Sequence, residues 1–159
     1  MNVKRLPATT RAAAAAGHEI GNHSYSHPAL YLRSRDFIAR ELSTAQSIIA
    51  DTTGAAPTLF RAPFGARWFG LREAQRRLNL MGVMWTVLGL DWKLTAGQIA
   101  NRVLARAENG AIICLHDGRG VQANPDIGVT LEAVERIIPV LKSRGFIFQT
   151  VSQILCPIN

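Results

Sequence analysis

His23 and His27 stand four residues apart in His23-Ser24-Tyr25-Ser26-His27. In a helical turn that spacing can bring two imidazoles to one metal ion, and neutral imidazole is a good zinc ligand. A turn residue ahead of Pro28 accounts for His27 equally well. Arg61 opens Arg61-Ala62-Pro63-Phe64-Gly65, Asp91 precedes Trp92, and His116-Asp117 follows the apolar run Ala111 to Leu115. A guanidinium leaving a strand end wants a carboxylate, and Asp91 could be that partner or could orient His116. A backbone-satisfied, buried His116 is the alternative. One such residue is weak evidence; His, Arg and Asp gathered at one rim are what an active site requires.

The elements that would carry these residues alternate along the chain. Thr9 to Ala16 is alanine-rich and ends at Gly17, which predicts a helix with a glycine cap. His18 to His23 reads as a short strand entering the histidine loop. Ser34 can cap a helix whose apolar residues Phe37, Ile38, Leu42, Ala45, Ile48 and Ile49 recur at helical spacing up to Gly54. Leu59 to Ala62 reads as a strand and Leu71 to Met81 as a helix closed by Gly82. Val83 to Leu88 reads as a strand covered on both faces. Thr95 and Gln98 make a capping-box pair for a helix to Arg106. Ala111 to Leu115 is a buried strand, Thr130 caps a helix to Arg144 kinked at Pro139, and Phe146 to Val151 is a last strand. This alternation predicts βα units around a mainly parallel sheet, in which functional residues collect at the C-terminal ends of strands. The four candidate motifs fall at four successive strand ends.

The length, 159 residues, suits one domain with a real core but is short of the roughly 200 residues of a complete eight-fold β/α barrel. The formal charge of +7 is concentrated in residues 1–80, which carry a net +6. The basic residues are scattered singly, with no zinc-finger or RNA-binding signature, so a solvated arginine-rich surface is expected rather than a nucleic-acid site. Two cysteines make no disulfide framework, and Cys114 reads as a packed thiol; Cys156 carries no reading. No apolar stretch reaches a membrane span, and Pro7, Thr9, Thr10 and Arg11 interrupt any signal-peptide core.

In this order the residues resemble the polysaccharide deacetylase family, the NodB-type carbohydrate esterases of family 4. The family's His-Ser/Thr-x-x-His motif matches residues 23–27, behind Gly17-His18-Glu19-Ile20-Gly21-Asn22. Its Arg-x-Pro-Tyr/Phe-Gly motif matches Arg61 to Gly65, its Asp-Trp motif Asp91-Trp92 and its Leu-His-Asp motif Leu115-His116-Asp117. The resemblance implies a single deacetylase domain over residues 1–159, folded as an incomplete (β/α) barrel of mostly parallel strands. It implies a metal-dependent hydrolase that removes N-acetyl (or O-acetyl) groups from a polysaccharide such as chitin oligomers or peptidoglycan. His23 and His27 would bind a divalent metal, usually zinc, which polarises the acetyl carbonyl and acidifies a water. His116 would be the general acid and Asp91 would hold it charged and oriented. The Phe64 amide would help stabilise the oxyanion. Leu115 and Trp92 would wall the acetyl pocket, and Arg61 would position the catalytic base.

That base is where the chain departs. The family's Thr-Phe-Asp-Asp-Gly motif supplies the base and the third metal ligand, and this chain has no Asp-Asp pair. Its first residues resemble the family only from beyond the second strand, so the domain is expected to be N-terminally truncated, without its first strands and with activity impaired. The unpaired sheet edge would then offer a surface for self-association. Any export signal would lie in the missing front, leaving the compartment open. The alternative is a non-catalytic glycan- or partner-binding domain on the same scaffold. An amidase of small cyclic amides is a third reading, which the intact His and Asp motifs argue against.

Overall fold

The computed structural model of the chain describes residues 1–118, 120, 122 and 124–155; Cys156 lies outside the described residues. The chain divides into two compact units, Met1–Met84 and Trp85–Asn159.

In the first unit, helices α1 (Asn2–Arg5) and α2 (Pro7–Ala15) lead to Gly17, whose φ of 84° ends the alanine-rich stretch. Helix α3 (Arg35–Thr53) begins where expected, because the Ser34 hydroxyl accepts the Phe37 amide, and it ends on left-handed Gly54. Ile38, Leu42, Ala45 and Ile49 recur at three- and four-residue spacing and face inward. Strands β1 (Leu59–Phe60) and β2 (Met81–Gly82) pair in parallel, with Leu59 opposite Met81. Between them lie a 3-10 turn (Pro63–Gly65) and helix α4 (Leu71–Arg77). Leu30, Ile38, Leu42, Phe60, Ala62, Leu71, Ala74 and Leu80 form the core.

Two expectations change here. The helix read as Leu71 to Met81 stops at Arg77: Asn79 turns left-handed at φ 53° and the Met81 amide is drawn to the Thr58 carbonyl, making β2. The strand read at His18 to His23 shrinks to one bridge, Asn22 with Phe60. That bridge fixes the root of the histidine loop beside β1.

In the second unit, β3 (Val87–Leu88) and β4 (Ile113–Cys114) pair in parallel, with Val87 opposite Ile113. The apolar runs around them are longer than the paired segments, because burial makes a run apolar whereas a ladder partner makes it a strand. Helix α5 (Ala96–Leu104) carries the expected capping box of Thr95 and Gln98. Ala96, Ile99, Ala100 and Val103 pack against Ala133, Ile137 and Leu141 of helix α6 (Gly128–Ser143). Thr130 does not cap α6; it lies inside the helix, buried, and its hydroxyl is used elsewhere. The strand expected at Phe146 to Val151 does not form. Thr150 and Gln153 bond each other's backbone amides and start helix α7 (Val151–Leu155), while Ile147 stays 84% exposed. Cys114 is buried as a free thiol. Among the described residues no helix is long and apolar enough to cross a membrane.

The second unit offers a direct comparison of packing with capping. Ile99→Ala, at a fully buried site, should cost about 2–5 kcal/mol, and Thr95→Ala about 1 kcal/mol. Urea denaturation followed by circular dichroism measures both.

Candidate active site

In the first unit the histidine loop is tied down at each residue. The Asn22 side chain is 1% exposed; its amide donates to the Leu42 carbonyl and to Gln46 Oε1, and its Oδ1 accepts the Ser24 amide. The Ser24 hydroxyl accepts the His27 amide at 3.1 Å. Ser24 and His27 take left-handed φ values of 65° and 57°, a conformation that costs about 1–3 kcal/mol for a residue other than glycine and persists only where neighbours over-determine it. The two rings meet edge to face with centroids 4.8 Å apart. His23 Nδ1 lies 2.7 Å from the Arg61 carbonyl. A carbonyl only accepts, so Nδ1 carries the proton and Nε2 is the ring nitrogen with a lone pair of the kind a metal ion takes.

Phe64 follows on the same side: its φ is 58° inside the 3-10 turn, and its exposed ring lies 4.9 Å from that of His27. The Arg61 guanidinium donates to the carbonyls of Val83 and Met84. The structure thus gathers His23, His27, Phe64 and Arg61 into one region of the first unit.

The second unit gathers Asp91, Trp92, Leu115 and His116. Asp91, 2% exposed, is met by three donors. Its Oδ1 accepts the His116 Nδ1–H at 2.7 Å, while Oδ2 accepts the His116 amide at 2.8 Å and the Thr130 hydroxyl at 2.9 Å. This settles which partner Asp91 takes within its unit: the histidine. Because the carboxylate accepts a hydrogen bond from Nδ1–H, Nε2 of a half-exposed ring is left for proton transfer. Trp92 stands edge to face with His116 at 5.1 Å. Leu115 is held close over Gly89, where an added Cβ would meet Leu115 Cδ2 at 2.3 Å. A cavity of about 380 Å3 is lined by Asp91, Trp92, Lys93, Leu94, Thr95, Asp126 and Val129.

Burial pushes the Asp91 carboxyl upward, but the His116 ring and amide bonds, the Thr130 bond and the charge of His116 outweigh it, so its pKa lies below the ordinary carboxylate value.

The polysaccharide deacetylase family model matches residues 1–83. The chain is 32% identical over 159 residues to a chitooligosaccharide deacetylase of Azorhizobium caulinodans, covering 92% of this chain and 73% of the relative. The chain belongs to the polysaccharide deacetylase family. It is also 32% identical over 150 residues to a peptidoglycan-N-acetylglucosamine deacetylase of Bacillus cereus, where 94% of this chain spans only 53% of the relative, about half its length. Among solved structures, a peptidoglycan N-acetylglucosamine deacetylase superimposes with a TM-score of 0.87 at 31% identity, over 96% of this chain and 70% of that one. A family 4 pseudoenzyme from Bacillus anthracis gives 0.85 at 26% identity, over 97% and 52%. These likenesses bear out the expected class, α/β with short parallel strands of the partial-barrel deacetylase type.

A catalytic zinc normally takes three protein ligands. His23 and His27 are two, and among the described residues no group of three His, Cys, Asp or Glu could hold a metal ion. The two imidazoles fit a metal in kind, but among the described residues they fall one ligand short of a catalytic centre.

Sequence reasoning missed Asn22, Thr130 and Glu41. The Glu41 carboxylate, 9% exposed, accepts the Tyr25 and Ser26 amides and the Ser26 hydroxyl. A signal was present: position 41 falls within the apolar stripe of α3, where a carboxylate is out of place.

Replacing Asp91 with Asn should lower stability at pH 7 by about 1–3 kcal/mol, since an amide cannot accept all three donors. A carboxylate with a depressed pKa stabilises the fold above its unfolded value, about 3.9, and loses that contribution as pH falls through the folded value. The gap between wild type and Asp91→Asn should therefore shrink below about pH 4, and urea denaturation at pH 7 and pH 3 measures it.

Proposed function

We propose that this chain carries the acid half and two metal ligands of a deacetylase that hydrolyses acetyl amides, or acetyl esters, of a polysaccharide such as chitin oligomers or peptidoglycan. The observation that carries the reading is the buried Asp91 holding His116 by both its amide and Nδ1. That geometry fixes the ring orientation and leaves Nε2 to deliver a proton to a departing sugar amine. Trp92 and Leu115 wall the place where an acetyl methyl would sit. Within the first unit this reading makes the Phe64 amide an oxyanion donor and the Arg61 side chain an orienting cation.

His23 and His27 are the ligands this reading assigns to a divalent metal, zinc by preference. When bound, such an ion would polarise the acetyl carbonyl. With two histidines and no third ligand among the described residues, the 159-residue polypeptide on its own binds metal weakly and hydrolyses little. A second reading, a non-catalytic domain that binds a glycan or a protein, draws support from the likeness to a family 4 pseudoenzyme. The retained Asp91–His116 pair favours the enzyme, because a binder has little use for an oriented acid.

Acetate release from chitin oligomers and from peptidoglycan separates these readings. The 159-residue polypeptide should release no more acetate than its His116→Ala variant. Fusing a Thr-Phe-Asp-Asp-Gly strand ahead of Met1 should produce zinc-dependent release that His116→Ala then lowers about 10²- to 10⁴-fold. Robust release without the added strand refutes the impairment, and silence with it favours the binding domain.

A further inference from the structure

We propose that Glu41 is a positioning residue: from helix α3 its carboxylate clamps the middle of the His23–His27 turn and so sets the spacing of the two imidazoles. The inference rests on the reading of that pair as metal ligands and deepens it.

Glu41 Oε2 accepts the backbone N–H groups of Tyr25 at 3.0 Å and Ser26 at 2.9 Å, and Oε1 accepts the Ser26 hydroxyl at 2.8 Å. All three donors lie between the two histidines. Of the other ties, the Met1 ammonium donates to the Tyr25 carbonyl, and the rest act on the ends of the turn: Asn22 on Ser24, the Ser24 hydroxyl on the His27 amide, and the Arg61 carbonyl on His23 Nδ1. Between two left-handed residues, Ser24 and His27, Glu41 accepts the two amides and the hydroxyl at the centre of the turn. Its hydrogen bonds go to the turn, and the cation that interacts with it is the Met1 ammonium rather than an arginine or lysine one helical turn away. Stability of α3 alone would favour a leucine here, since the position adjoins Ile38, Leu42 and Ala45 in the inward stripe. The carboxylate is where it is because the turn needs an acceptor for two converging amides.

Two substitutions separate positioning from packing. Glu41→Gln keeps the shape, its carbonyl can accept both amides, and its NH2 can donate to the Ser26 hydroxyl. Glu41→Leu keeps the helix and leaves the turn without an acceptor. In the 159-residue chain, Glu41→Leu should speed hydrogen exchange of the Tyr25 and Ser26 amides at least about tenfold. It should also weaken Zn2+ binding about 10- to 100-fold, the range expected when a group that orients metal ligands is removed. Glu41→Gln should stay within about threefold of wild type in both. Unchanged exchange at Tyr25 and Ser26 in Glu41→Leu overturns the proposal, as does a Gln variant damaged as much as the Leu variant. If wild type binds Zn2+ no better than a His23→Ala/His27→Ala variant, the metal reading has failed, and the amide exchange still decides the role of Glu41. Should Glu41→Leu not fold, Ser26→Ala removes one of the three bonds without altering α3. A rise of about threefold or more in exchange at Tyr25 and Ser26 would then support the clamp, and no rise would overturn it.

Discussion

A carboxylate taken out of water must be surrounded by hydrogen-bond donors or it becomes costly to keep. This constraint shapes both groups of reactive side chains in the chain. Asp91 is met by the amide and ring of His116 and by the hydroxyl of Thr130. Glu41 is met by two amides and a hydroxyl from the turn that carries His23 and His27. In each case the buried acid collects donors from a loop that has no regular structure of its own. The rigidity of packed helices and short strands is thereby passed to imidazoles that no helix or strand holds directly.

The same logic explains why the motifs need so little regular structure around them. The paired strands are two residues long, and each unit relies on a separate apolar cluster beneath its loops. Hydrogen bonds from side chain to backbone do most of the shaping above those clusters. Thr130 shows the economy of it: one hydroxyl on α6 both sits in the helix interior and completes the acceptor set of Asp91.

Helices were legible because their signals are local. Ser34, the Thr95–Gln98 box and Gly54 act within one turn of themselves, and the stripes of α3 and α5 need only their own spacing. Strands were less legible, since Val83 to Leu88 and Phe146 to Val151 are apolar enough for strands but lack ladder partners along their length. Thr130 read as a cap because a threonine near a helix start usually is one; its partner lies 39 residues away in the sequence. The histidine, arginine and aspartate motifs could be found by type and spacing, yet the bonds from His116 to Asp91 follow from the fold of the second unit and not from the motifs themselves. Glu41 was missed because a charge on a helix usually reads as a solvated face, although its place in the apolar stripe of α3 pointed inward.

Ser24 carries a consequence for anyone reshaping this chain. Its backbone favours glycine, and glycine there would relieve strain; its hydroxyl, however, is what receives the His27 amide. A search for sturdier variants guided by backbone preference alone would begin at this residue and would erase the tie that orients the second imidazole. Backbone ease and the set of the loop are traded at a single oxygen atom, so selection for one would leave a legible scar on the other.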